Sequence, residues 1–273
     1  MNSYLQRKPK NKKISDGVIL QHEITVENSP FAYVGFKKLD MDKGAEFEED
    51  TMDKEACVLI LTGKVTVIEG DNVFAHIGKR NCVFDKNPTD SVYISNDHTY
   101  KIIAETPAAI AIGYAPSSKQ LPTKLIKAEE NSVVERGKYL NKRLVNTMLD
   151  DESSIADSLL MTEVYTAAGN TSSYPPHRHS FNNYPEETYL EESYYHEINP
   201  QQGFVLQRVY NDDRTIDTAF GAENGDVILC PEGYHPVAVP DGYESYYLNV
   251  MAGPVKSWSF YKDPAHSWID ERE

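Results

Sequence analysis

Two histidines stand one residue apart in "YPPHRHSFNNYPEE", directly after a pair of prolines, in a chain with only eight histidines. In a strand, residues i and i+2 share a face, so His177 and His179 point the same way and Arg178 turns aside. Two imidazole nitrogens then reach for one ion. Further along, "LEESYYHEI" offers Glu191, Glu192 and His196, and "GDVILCPEGYHPVAVP" carries a strand through a Pro-Glu-Gly turn onto His235. Histidines with one carboxylate form a mixed nitrogen and oxygen set. It suits one divalent ion (Zn, Mn, Fe, Co or Ni) and leaves positions open for water or substrate. The expected ligands are His177, His179, Glu192 and His235. Strand parity places Glu192, Tyr194 and His196 on one face and Glu191 with Tyr195 on the other. His22, His76, His98 and His266 lack such company and read as surface or structural residues.

The elements that must carry these groups read as strands. Residues 17 to about 115 show short apolar or alternating runs such as "ACVLILTGKVTVIEG" and "YKIIAETPAAIAIGYA", punctuated by Gly, Pro, Asn and Asp. From 158 the pattern resumes in "SLLMTEVYTAAG", "GFVLQRVYND", "SYYLNVMAG" and "KSWSFYKDP". Regular short strands without long amphipathic helices indicate an all-β chain of sandwiches or barrels. Tyrosine outnumbers phenylalanine 18 to nine, in keeping with half-buried pleated surfaces. Between them, residues 116–150 hold two prolines, mixed charges and no sustained period. The expected division is an N-terminal barrel over 1–118, a linker over 119–150 and a C-terminal metal-binding barrel over 151–273.

Composition narrows the function. A formal charge of −15 repels phosphate backbones and anionic membranes, which argues against nucleic-acid binding. No apolar stretch approaches a membrane span, and Met1 is not followed by an apolar signal core. Cys57, Cys82 and Cys230 are scattered without CxxC spacing and read as reduced, buried thiols of a cytoplasmic protein. An anionic substrate would need cations gathered locally, and Lys119, Lys124, Lys127, Arg136, Lys138, Lys142 and Arg143 fall close together. Most read as a solvated linker, with one or two reaching a site. For a carboxylate, Arg208, Arg143 and Lys142 are the expected partners, planar arginine donors being favoured.

The residues also resemble a known pattern. "PPHRH…EESYYHEI" is similar to the first cupin motif and "GDVILCPEGYHPVAV" to the second. The gap from His179 to Glu192 is longer than usual, which implies an inserted mouth loop "SFNNYPEETYL". Glu186, Glu187 and Glu191 therefore compete with Glu192 for the fourth ligand position. "EACVLILTGKVTV" and "GKRNCVFDKNPTDSVYI" resemble a degenerate first copy without the histidines. The resemblance implies a bicupin, two double-stranded β-helix (jelly-roll) barrels, with metal only in the C-terminal one.

More narrowly, "SYLQRKP", "KNPTDSVYISND", "KQLPTKLIKAE", "SSYPPHRH", "PEGYHPVAVPDGY" and "FYKDPAHSWI" resemble the 5-deoxy-glucuronate isomerases of bacterial myo-inositol catabolism, over nearly the whole chain. That resemblance implies an aldose–ketose isomerase acting on a small anionic sugar acid. The related 4-deoxy-5-keto-uronate isomerases of pectin breakdown are the nearest alternative. An iron cupin dioxygenase and a sugar-binding regulator are more distant ones. Hydrogen moves between C1 and C2 either as a proton through an enediolate or as a hydride. His196, Glu191 and Tyr194 are the expected catalytic groups beside the metal. The oligomeric state is left open, a homo-oligomer among the options.

Overall fold

A computed structural model describes residues 3–272. The described residues form strands joined by turns, and their helical pieces are 3-10 turns of three or four residues. Where a run is apolar throughout, the strand is buried on both faces. Lys54–Thr62, carrying "ACVLIL", lies in the middle of a sheet with seven consecutive buried residues. Where apolar and polar residues alternate, burial alternates too, as in Val18–Ile24, which buries Val18, Leu20, His22 and Ile24. Period two is thus enough to assign the inner faces.

The chain divides into two compact units of the same design. One comprises Pro9–Ser132 and Thr147–Met161. Its seven-stranded sheet runs in the order Lys124–Ile126, Ser91–Ile94, Lys54–Thr62, Ala108–Pro116, Gly35–Met41, Val18–Ile24, Lys12–Ser15. A four-stranded sheet accompanies it, in the order Glu46–Asp50, Thr99–Ala104, Val65–Glu69, Asn72–Ile77. Val58, Ile60, Val65, Val67, Ile102 and Ile110 lie in the apolar core of this unit.

The other unit contains the segment up to Lys8, Val133–Asn146 and the chain from Thr162 onward. Its large sheet orders Gln6–Arg7, Val227–Cys230, Glu191–Asn199, Glu244–Ala252, Leu160–Thr166, Arg143–Leu149, Ser132–Arg136. Thr171–Ser172, Val237–Ala238, Phe204–Tyr210 and Asp217–Glu223 make the four-stranded partner. A further pair joins His177–Arg178 to Tyr261–Lys262. Seven plus four strands in each unit is the repeated barrel of a bicupin.

Each unit is assembled from separate pieces of the chain. Gln6 and Arg7 pair with Ile228 and Val227 in the C-terminal unit. Lys8 there meets Glu223 at 2.6 Å and Asp226 at 2.8 Å. The stretch 119–150 is largely structured: Lys124–Ile126 pairs with Ser91–Ile94, while Ser132–Arg136 and Arg143–Leu149 extend the C-terminal unit's sheet. Within the N-terminal unit, the buried Glu55 carboxylate accepts the backbone N–H of Asp157, Ser158 and Leu159 at 2.6–2.7 Å, pinning the returning segment. Of the three cysteines, Cys57 and Cys230 are buried and Cys82 is exposed; all three are free thiols. The expectation of buried thiols holds for two of them. Cys82 differs because it stands at the start of the surface 3-10 turn Val83–Asp85.

Candidate functional site

Successive strands of the C-terminal unit's large sheet each send residues at i and i+2 into one cavity of about 490 Å³. Glu192 and Tyr194 come from Glu191–Asn199, Tyr247 and Asn249 from Glu244–Ala252, Thr162 and Val164 from Leu160–Thr166, and Arg143 and Val145 from Arg143–Leu149. Arg136, at the end of the edge strand, continues the series. Ser173–Pro175, His177 and a C-terminal segment bearing Trp258, Phe260 and Lys262 complete the lining.

The three expected histidines converge beside this cavity, with His177 and Glu192 in its lining. His177, His179 and His235 can place one ring nitrogen each within 4.8 Å of one another. Their ring centroids lie 5.0 Å apart for His177–His235 and for His179–His235, and 6.3 Å for His177–His179. Glu192 Oε2 lies 2.9 Å from His179 Nε2 and 3.1 Å from His235 Nε2. Each buried ring is oriented from behind. His179 Nδ1 donates to the Leu190 carbonyl at 2.6 Å, and His235 Nδ1 donates to the Gly233 carbonyl at 2.8 Å. In a neutral ring those bonds place the proton on Nδ1 and leave Nε2, on the Glu192 side, available to a metal ion.

His235 Nε2 is buried with no hydrogen-bonding partner among the described residues, because Glu192 sits near it outside bonding geometry. An orphaned nitrogen beside a carboxylate and two further imidazoles is a set that a divalent cation would complete. Burial, then the neighbouring His235 and His179, hold His177 well below its usual range. Burial opposes ionisation of Glu192, but His235 and His179 outweigh it and keep its carboxyl below the usual range. Burial also opposes a proton on His179, yet its hydrogen bond to Glu192 raises it on balance.

The competing glutamates point elsewhere or are otherwise engaged. Glu187 is spent on Arg178 Nε at 3.2 Å and on the Ser180 N–H at 2.6 Å, bonds that pin the mouth loop to the histidine strand. Glu186 is exposed. Glu191 faces away, with Tyr189 Oη 3.3 Å from its carboxylate. Arg178 is further enclosed by the rings of Phe181, Tyr234 and Tyr261 at 4.8–5.3 Å. The strand carrying His177 pairs His177 with Lys262 and Arg178 with Tyr261.

Of the other expected residues, Tyr194 and Arg143 line the cavity, whereas His196, Glu191, Arg208 and Lys142 are not among its lining. His196 has the predicted parity but lies deeper. Its Nε2 meets Gln207 Oε1 at 2.8 Å, and burial pushes its proton affinity down to about 4. Arg208 alternates with the buried Gln207, so it faces outward and forms a two-pronged pair with Asp217 at 2.8 Å. Lys142 is one residue out of phase with Arg143 and stands 3.8 Å from Glu135.

Sequence reasoning missed Lys262, Trp258, Phe260, Tyr247 and Asn249 as lining, and did not single out Arg136 and Lys138 from the cation cluster. A signal was present for three of them: Trp258, Phe260 and Lys262 stand at i, i+2 and i+4. The cavity therefore gathers Arg136, Lys138, Arg143 and Lys262 against Glu192 and Asp270, in a chain whose net charge is −15. Arg136 stacks toward Trp258 at 5.8 Å, and Arg143 donates to the Asn141 carbonyl at 3.0 Å. Tyr194 Oη lies 2.9 Å from Ser173 Oγ. Burial, with Glu192 next, raises the Tyr194 phenol well above its ordinary value, so it stays a neutral donor.

Two β-barrels, one with three imidazoles and a carboxylate converging inside it, define the class: a bicupin. Matches to known proteins agree. Oxalate decarboxylase of Bacillus subtilis shares the fold at a TM-score of 0.67 and 13% identity, covering 94% of this chain and 79% of that one. The KduI/IolB family model matches residues 7–269, and the chain belongs to that family. It is 56% identical over 270 residues to a 5-deoxy-glucuronate isomerase of Bacillus subtilis subsp. natto, covering 99% of this chain and all of that one. A 5-deoxy-glucuronate isomerase of Listeria monocytogenes serotype 4b is also 56% identical, over 98% and 99% of the two chains. The crystal structure of an IolB-like protein from Salmonella typhimurium superposes at a TM-score of 0.93 with 42% identity, over 97% and 98%.

Proposed function

We propose that the chain is a cytoplasmic aldose–ketose isomerase that interconverts 5-deoxy-glucuronate and 5-dehydro-2-deoxy-gluconate in the cavity of its C-terminal unit. The observation that carries this reading is a cavity lined by His177 and Glu192 of the four-ligand set and by a group of cations, in an otherwise acidic protein. The names of its full-length relatives support the same substrate.

His177, His179, Glu192 and His235 would hold a divalent ion. When bound, that ion supplies Lewis-acid stabilisation of the negative charge that builds on the oxygens at C1 and C2. The chain's own residues do the rest. Arg143, with Arg136 and Lys138 beside it, binds the substrate carboxylate, and guanidinium forks suit that planar group. The rings of Trp258 and Phe260 exclude water from the mouth and so strengthen those contacts. Tyr194, held by Ser173 Oγ at 2.9 Å, donates a hydrogen bond from its neutral hydroxyl to the substrate oxygen on which charge builds. His196, neutral and bonded to Gln207, fixes the barrel interior behind Tyr194, whose ring it parallels within 18°.

The test is turnover by the purified protein on two substrates. It should convert 5-deoxy-glucuronate with kcat/KM at least about tenfold above that for 4-deoxy-5-keto-uronate. No ketose product from 5-deoxy-glucuronate would overturn the assignment.

A further inference from the structure

The N-terminal unit has a cavity of its own, about 300 Å³, that the isomerase reading does not use. Its wall brings the rings of Tyr33, Phe36 and Tyr114 together with Glu23, Glu49 and Lys37. Lys37 projects from Gly35–Met41 and is only 9% exposed. Its ammonium donates to Glu49 and stands 3.6 Å from the Glu23 carboxylate. It also lies 5.4 Å from the ring centre of Phe47 and 5.8 Å from that of Tyr114. The other oxygen of Glu49 accepts the hydroxyl of Tyr100 at 2.9 Å and that of Tyr114 at 2.5 Å.

A partly buried ion pair returns little net stability after desolvation, and apolar residues of the same volume would serve a core at least as well. Charges retained on the wall of a cavity fit a binding site better. The bonding pattern indicates what it would take. Glu49 already accepts from three donors. Lys37 has three N–H groups and one hydrogen-bonded acceptor, Glu23 being too far for a second. The ammonium therefore offers donors to an oxygen in the cavity, and Glu23 offers an acceptor. Charge sets the class of ligand. The lining carries Glu23, Glu49, Asp50 and Asp53 against Lys37 and Lys54, which disfavours an anion. Aromatic faces, one donor cation and a nearby carboxylate match the alternating C–H and O–H surface of an uncharged polyol.

We propose that the N-terminal unit carries a second small-molecule site, for a neutral polyol or sugar, that selects against the sugar acids suited to the C-terminal cavity. The proposal is independent of the isomerase reading. It is tested on the full chain by titration calorimetry and saturation-transfer NMR with D-glucose and xylitol, and with D-glucuronate as the anionic counterpart of glucose. At least one neutral probe should bind saturably at up to tens of millimolar. Val26→Trp, which fills the cavity, should abolish that binding. Glu23→Gln should weaken it about tenfold, the loss expected for a hydrogen bond to a charged group. Both variants should keep wild-type circular dichroism and wild-type isomerase rates. Three results would each overturn the proposal: no saturable binding of either neutral probe, binding unchanged in Val26→Trp, or glucuronate binding as tightly as glucose at a site that Val26→Trp removes.

Discussion

Replacing Gly233 by alanine puts a methyl group into the turn that aims His235. Gly233 has φ +94°, a conformation that costs a residue with a side chain ~1–3 kcal/mol. The added Cβ would also lie 2.6 Å from the Tyr210 carbonyl oxygen and 2.9 Å from its carbon, both backbone atoms that cannot swing away. That oxygen accepts the Tyr234 N–H at 2.7 Å, and displacing it forfeits about 1 kcal/mol more. The expected destabilisation is about 2–4 kcal/mol. Gly169→Ala is the matched control, since φ there is +73° but nothing lies within 4 Å of the new Cβ, leaving only about 1–2 kcal/mol of backbone strain. Urea unfolding of the two variants measures the difference. The site reports it a second time, because Gly233 N–H donates to Ser180 Oγ at 2.8 Å and its carbonyl holds His235 Nδ1 at 2.8 Å. Gly233→Ala should therefore bind divalent metal more weakly than wild type, and Gly169→Ala should bind it normally. If the two variants lose the same stability and keep the same metal affinity, the crowding argument is wrong.

Two further outcomes follow from the local chemistry. Burial pushes the Cys57 thiol up to about 12 and the Cys230 thiol well above its ordinary value, while Cys82 is exposed. A thiol reagent should therefore titrate one cysteine in the native protein and three after denaturation, and rapid labelling of a second native thiol would contradict the burial. In the N-terminal unit, the Thr66 hydroxyl and then the His76 ring hold the Glu105 carboxyl down from 4.5 to about 2. A carboxyl depressed in the folded state stabilises it above its unfolded value and loses that contribution as pH falls through the folded one. Glu105→Gln should lower the urea midpoint near neutrality and flatten its dependence between pH 4.5 and about 2, and an unchanged slope there would remove Glu105 from the account.

The strands and the inner faces were legible because period two is a local property. His177, His179 and Tyr194 follow from it directly, and His235 follows from the turn before it. Partner choice was not local. Glu192 could be separated from Glu187 only once Arg178 and the Ser180 N–H were seen to occupy Glu187. Arg208 was expected to reach substrate, yet its alternation with Gln207 turns it outward to Asp217 on the adjacent strand. Arg143 and Lys142 are neighbours in sequence, and only the register of Arg143–Leu149 in the sheet decides which faces the cavity. His196 shows the limit of parity, which gives a direction but no depth. The segment up to Lys8 joins the C-terminal unit through Gln6 and Arg7, a long-range pairing that no local pattern encodes.

The central claim is that His177, His179, Glu192 and His235 form one metal site on which isomerisation depends. Metal content by elemental analysis, measured beside turnover of 5-deoxy-glucuronate, tests it most directly in wild type, His235→Ala and Glu192→Gln. The wild type should hold one divalent ion per chain, and His235→Ala should lose ion and activity together. Glu192→Gln should bind the ion more weakly and recover part of its activity when metal is added in excess. A folded His235→Ala protein without metal that turned over at the wild-type rate would contradict the account.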